Sequence, residues 1–132
     1  MGDEELYSIA LTKIKGIGNI GASNIIKSLG SAKAVFDNRL NISDVLGVSS
    51  KHLEEALNSH EALKIAENEI NFIEKNKISC LTLKSENYPS RLRKCDDAPI
   101  VLFYRGNCDL NSLHMISVVG TRNISSYGNV IC

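Results

Sequence analysis

The residues best suited to chemistry lie in Ile116-Ser117-Val118-Val119-Gly120-Thr121-Arg122-Asn123-Ile124-Ser125-Ser126-Tyr127-Gly128. An apolar run ends in Gly120, followed by the hydroxyl of Thr121, then Arg122, and three residues later a second hydroxyl, Ser125. The pattern predicts a buried strand over Met115–Val119 that turns sharply at Gly120 into a helix capped by Ser125. Such a corner aims backbone N–H groups and a positive helix end at one point, which makes an anion site. Arg122 adds a planar fork suited to phosphate or a base edge. The plainer alternative is an ordinary strand–turn–helix with Arg122 in a surface ion pair. Cys132 falls about one turn into that helix, so the sequence reads as a Rossmann-type unit begun and not finished.

The elements that must position this corner follow from the apolar spacing. Leu6, Ile9, Ala10 and Ile14 fall at helical intervals from Glu4 to Ile14. Gly16-Ile17-Gly18 breaks that helix, and a second stripe follows at Ile20, Ile25, Ile26 and Leu29 with Gly30 as its stop. Ser31 starts a short helix through Ala34, Val35 and Phe36. Ser43 is placed to cap a short turn ending near Leu46 and Gly47, and Ser49 or Ser50 to cap a helix carrying Leu53, Ala56 and Leu57. A longer helix over His60–Lys75 turns Leu63, Ala66, Ile70 and Ile73 inward. From Asn76 the pattern changes to strands at Ile78–Leu83, Ile100–Tyr104 and Met115–Val119, with short helical pieces between. The expected fold class is therefore α followed by α/β. A helical module occupies residues 1–76, and residues 77–132 open a second domain.

Composition narrows the function classes. Fifteen Lys and Arg balance fifteen Asp and Glu, so no global charge pulls the chain toward nucleic acid. The balance is uneven: residues 41–76 carry three basic against seven acidic side chains, a net of −4, and residues 77–132 carry seven against four, a net of +3. The positive part holds the Gly120–Arg122 corner, which fits an anionic partner there. Cys80, Cys95, Cys108 and Cys132 are widely spaced, so buried thiols in a reducing cytoplasm are expected rather than a disulfide set or a zinc site. The N-terminus shows neither a signal pattern nor a myristoylation pattern, and no apolar run approaches the ~20 residues that span a bilayer. A cytoplasmic protein with no membrane, metal or cofactor is the expectation. No nucleophile–base pair or carboxylate dyad points to an enzyme. His52, His60 and His114 have no partners at ligand spacing, and Asp96 and Asp97 read as turn-forming, solvated charges.

Two further constellations matter. Gly16-Ile17-Gly18 between amphipathic helices resembles a helix-hairpin-helix, in which backbone N–H groups meet a DNA phosphate and Lys13, Lys15 and Lys27 add charge. A tight interhelical turn that only packs Ile17 accounts for the same residues. Gly16-x-Gly18-x-x-Gly21, with Asp37 as ribose ligand, also fits the dinucleotide fingerprint of a nicotinamide-dependent enzyme. Against this stand Thr12, Lys13 and Lys15, which interrupt any strand before Gly16. A third possibility is a module that serves protein interaction alone. The other constellation is Tyr88-Pro89…Leu92…Asp97-Ala98-Pro99…Leu102…Gly106, where the prolines fix turns beside the basic residues Arg91, Arg93 and Lys94.

Tyr88-Pro89-x-x-Leu92, Asp97-x-Pro99-x-x-Leu102, Gly106 and Val118-Val119-Gly120-Thr121-Arg122-x-x-Ser125-x-Tyr127-Gly128 together resemble the DprA/Smf family of bacterial DNA-processing proteins. The helical start, with Gly16-Ile17-Gly18 and Gly30-Ser31, is similar to that family's N-terminal module, of helix-hairpin-helix or SAM-like type. The resemblance implies a protein that binds single-stranded DNA in natural transformation, protects it and helps load a RecA-type recombinase. It also implies an extended Rossmann-like domain that uses no dinucleotide. On that resemblance Arg122 is the principal contact to the strand. Gly120, Thr121 and Ser125 shape the phosphate-facing turn, Tyr127-Gly128 start the helix behind it, and Gly16 and Gly18 belong to the hairpin contact. Family members continue well beyond this length, and the resemblance places the homodimer surface in that continuation. A sheet with so few strands is expected to leave an open edge and to self-associate.

Overall fold

The computed structural model describes residues 2–47 and 50–131, which form a mixed helical fold with one small sheet. The order is α1 (Asp3–Lys13), α2 (Asn19–Leu29), α3 (Ala32–Asp37), a single 3-10 turn (Arg39–Asn41), α4 (Ile42–Leu46), α5 (Lys51–Asn58) and α6 (Glu61–Lys75). Then follow β1 (Ser79–Thr82), α7 (Ser90–Arg93), β2 (Val101–Tyr104) and α8 (Ser126–Ile131).

Helix α1 is the centre of the fold. It touches α6, α3, α2 and both strands, and Ile9, Ala10 and Leu11 lose all exposure. Surrounded on several sides, it buries four consecutive residues, from Ser8 to Leu11, where a surface helix would bury one stripe. Each large side chain so buried stabilises the fold by about 1.5–3 kcal/mol. Ser8 is drawn into the same core, and its hydroxyl has no hydrogen-bond partner among the described residues. From α6, Ala62, Ala66 and Ile73 are buried and Leu63 and Ile70 pack at the margin, which is the face the spacing predicts.

Local chemistry sets the helix ends. Gly30 closes α2 in the left-handed region at φ +90°, its N–H donating to Ile26 O at 2.7 Å. The Ser31 hydroxyl accepts from Ala34 N at 3.0 Å and so caps α3. The Glu4 carboxylate reinforces that cap from α1, accepting from Ala32 N at 2.9 Å and Lys33 N at 3.2 Å. Ser50 caps α5 through Leu53 N; the alternative cap, Ser49, lies outside the described residues. Ser43 is not a cap. It sits inside α4, where its hydroxyl donates to the Glu54 carboxylate and accepts from Ser50 N, tying α4 to α5.

The strands pair antiparallel, Ser79 opposite Tyr104 and Thr82 opposite Val101. Ile100 and Val101 join the helical core, with Ile78, Cys80 and Leu83 packed at its edge. The continuous apolar run Ile100–Tyr104 predicts a strand buried on both faces. The strand instead has one wet side, with Phe103 45% exposed. The third expected strand does not form. Residues 115–120 have no regular structure, and Ile116, Val118 and Val119 are 93%, 86% and 91% exposed. A strand needs a neighbour to take its N–H and C=O groups, and among the described residues none lies beside this segment.

Candidate nucleic-acid interface

The C-terminal corner is an open loop rather than a strand-to-helix turn. Gly120 has nothing within 4 Å of the place where a Cβ would stand. Gly120, Thr121, Arg122 and Ser125 are all exposed. The Thr121 hydroxyl donates to Asn123 O at 2.7 Å, and the Ser125 hydroxyl accepts from Gly128 N at 3.1 Å, capping α8. Arg122 makes no hydrogen bond or ion pair among the described residues, so its guanidinium is free to meet an anion. Tyr127 does not pack behind the corner; it is exposed.

What precedes this loop is held firmly. Tyr88 is fully buried, and its hydroxyl donates to Pro99 O at 2.6 Å. The Arg93 guanidinium lies 5.4 Å over the Tyr88 ring and donates to Ser85 O at 2.5 Å. Ser85 in turn accepts from Thr82 N through its hydroxyl at 2.9 Å. Arg91 donates to Leu113 O at 3.1 Å. Two of the basic residues beside Tyr88-Pro89 are therefore occupied with backbone carbonyls. Lys94 and Arg105 are exposed, with no hydrogen bond or ion pair among the described residues.

Asn111 is a structural bridge that the sequence does not announce. Its side-chain oxygen accepts from Ser90 N at 2.8 Å, capping α7 from across the chain, and its amide nitrogen lies 3.4 Å from Tyr88 O. Asn111 and Arg91 anchor the chain as far as Leu113. Such a bridge spans more than twenty residues and leaves no local pattern to read.

At the other end of the chain, α1 and α2 form a tight hairpin. Ile17 N donates to Ile14 O at 3.4 Å, and Gly16 adopts φ +86°, a conformation that favours glycine. Gly18 opens α2 in extended backbone, and no side chain caps that end. The first amides of α2, at Asn19, Ile20 and Gly21, have no acceptor among the described residues. Ile17 packs against the core, so the turn does the packing work of the plainer reading while its amides stay open. Lys13 is engaged in an ion pair with Glu69, whereas Lys15 and Lys27 are exposed. The dinucleotide alternative fails here, because the residues before Gly16 form helix α1 and not a strand. Asp37, its ribose ligand, is an exposed residue at the end of α3.

The thiols differ from expectation as well. Cys95 and Cys108 are exposed and only Cys80 is half-buried; Cys132 lies outside the described residues. The described residues hold no cluster of three or more His, Cys, Asp or Glu fit for a metal ion. None of the described helices is long and apolar enough to cross a membrane.

The occupied lock around Tyr88 is followed by the open loop around Arg122, which is exposed. Residues 79–132 match the family of DNA recombination-mediator protein A. Protein Smf of Borreliella burgdorferi is 29% identical over 103 residues, covering 73% of this chain and 33% of that protein. DNA processing protein DprA of Streptococcus pneumoniae is 38% identical over 52 residues, covering 39% of this chain and 18% of that protein. Residues 79–132 are thus similar to proteins of the DprA/Smf family. The chain spans a third or less of the length of these curated relatives. No solved structure matches it.

Proposed function

We propose that this chain is a DprA-like protein that binds single-stranded DNA during recombination of incoming DNA and acts by binding rather than by catalysis. The observation that carries the reading is Arg122. It lies inside the segment that matches the recombination-mediator family, beside Gly120 and Thr121, exposed and without a carboxylate partner among the described residues. Capture rests on the Arg122 fork and open backbone amides around Gly120, Thr121 and Ser125, with Lys94 and Arg105 adding charge. The Gly16–Gly18 hairpin gives a second phosphate contact of helix-hairpin-helix type. Support comes from its uncapped α2 amides and the exposed Lys15.

In this reading residues 1–76 are the helical, SAM-like module, and residues 77–132 open an extended Rossmann-like domain. The two parts dock through α1, which touches both strands. A RecA-type recombinase, the cytoplasm and a homodimer complete the reading by resemblance. The test is a salt titration of binding to oligo(dT). Arg122→Ala is expected to weaken binding and to flatten the slope of log affinity against log salt by roughly 0.7 for one lost phosphate contact. An unchanged slope refutes Arg122 as a phosphate ligand.

A further inference from the structure

Helix α5 reaches the α1–α2 hairpin through His52. His52 Nε2 lies 2.5 Å from Lys15 O. A carbonyl oxygen only accepts, so Nε2 carries the hydrogen and donates it. The next residue is Gly16, at φ +86°, and a Cβ there would stand 3.4 Å from the same Nε2. His52 also divides two clefts. One, of about 360 Å³, runs past Lys13, Lys15, Glu55 and Glu61; the other, of about 380 Å³, runs past Gly16, Gly18, Gly21 and Leu53. Among the described residues it is the one side chain that lines both.

We propose that His52 is the positioning residue of the hairpin: its bond to Lys15 O fixes Gly16-Ile17-Gly18, and with it the affinity of the hairpin for a phosphodiester backbone. The second half of this statement rests on the proposed single-strand function; the first half stands on geometry alone. The hairpin needs such a tether. Around Gly16 the backbone is held by one long bond, from Ile17 N to Ile14 O at 3.4 Å, until Ala22 N meets Gly18 O at 2.9 Å. Glycine at positions 16 and 18 widens the conformations open to the turn, and each unneeded one dilutes the binding form. The imidazole closes that freedom from a separate helix, with Gly16 leaving the room it needs. His52 is exposed, so replacing it removes the tether without opening the core.

The test uses the full chain with His52→Ala, His52→Gln and Arg122→Ala, read by hydrogen exchange and by oligo(dT) binding. His52→Ala is expected to speed exchange at Ile17 and Ala22 by roughly three- to tenfold, as losing one hydrogen bond permits, and to leave α6 unchanged. Oligo(dT) affinity is expected to fall by a similar factor. His52→Gln keeps an N–H donor and is expected to restore both in part, which a mere loss of packing would not show. Arg122→Ala is expected to weaken binding with hairpin exchange untouched. Unchanged exchange at Ile17 and Ala22 in His52→Ala overturns the tether. Faster exchange with unchanged oligo(dT) affinity overturns the hairpin as a nucleic-acid contact, and with it the second half of the proposal. The Arg122 contact is decided separately, by the binding of Arg122→Ala.

Discussion

The Tyr88 hydroxyl donates to the Pro99 carbonyl oxygen, eleven positions further on, at 2.6 Å, closing a loop between β1 and β2. The ring beneath that hydroxyl is fully buried, and Arg93 covers its face. One aromatic residue thus welds α7, the approach to β2 and the Ser85 turn. Tyr88→Phe keeps the ring and deletes the bond, so it is expected to cost about 1–2 kcal/mol in urea unfolding. Tyr88→Ala is expected to cost about 3–5 kcal/mol, as for other large aromatic deletions. Burial raises the Tyr88 phenol above its ordinary range, with Arg93 opposing. The stability it adds is full below about pH 10 and is lost as pH climbs through the raised value, because the unfolded phenol ionises first.

The C-terminus of α6 holds a strained residue. Lys77 N donates to Glu74 O at 3.2 Å and Ile78 N to Ile73 O at 3.0 Å, the paired bonds of a Schellman ending. The left-handed position in that motif usually carries glycine, but here Lys77 sits at φ +54°. Lys77→Gly is expected to raise stability by about 0.5–1 kcal/mol, the relieved αL strain outweighing the entropy of the added glycine. Chemical denaturation of the two proteins checks the sign.

Much of the helical half was legible because its signals are local. Gly30 stops α2 and Ser31 caps α3 as their types predict, and the stripe of α6 faces the core. Polar residues in the core were not legible: Ser8 is buried only because α1 lies at the centre, a fact of tertiary packing. Ser43 reads as a cap by type, yet a carboxylate eleven residues away claims its hydroxyl. The apolar run before Gly120 has strand composition, but composition supplies no partner strand. The sharp turn expected at Gly120 does not form, since it depends on that strand.

The Glu4 carboxylate ties α1 to α3 by accepting two backbone amides, from Ala32 and Lys33. Glu4→Gln is expected to cost about 0.5–2 kcal/mol, because the charge at a helix start is lost while one oxygen remains. Asp3→Asn, which breaks the exposed ion pair of Asp3 with Lys33 at 2.8 Å, is expected to cost less than Glu4→Gln, because water and salt screen that pair. Thermal melts of the two variants side by side check the ranking.

The thiols divide by burial. Burial raises Cys80 from 9.0 to about 11, with Glu5 adding to it. The thiolate is the reactive form, so at pH 8 Cys80 is expected to resist a thiol reagent in a Cys132→Ser background. Cys95 and Cys108, both exposed, react first. The native state holds the Cys80 proton longer than the unfolded chain does. Its share of stability is therefore full below about pH 9 and is lost as pH rises through about 11. Mass spectrometry after timed alkylation gives the order of reaction.

The exposed stretch from Leu113 to Val119 carries Leu113, Met115, Ile116, Val118 and Val119 with little cover. Its backbone groups pair with no strand among the described residues, and its composition favours strand pairing. In extended form Ile116 and Val118 point to one face, since side chains two apart share a side. Self-association through this face is expected, and it grows with protein concentration in sedimentation velocity. Ile116→Lys with Val118→Lys places two like charges on that face, which blocks edge-to-edge pairing. The double variant is expected to sediment as the smaller species at concentrations where the parent associates. Core stability is expected to stay the same, because neither side chain contributes to the buried core. Equal association in parent and variant removes this stretch as the cause.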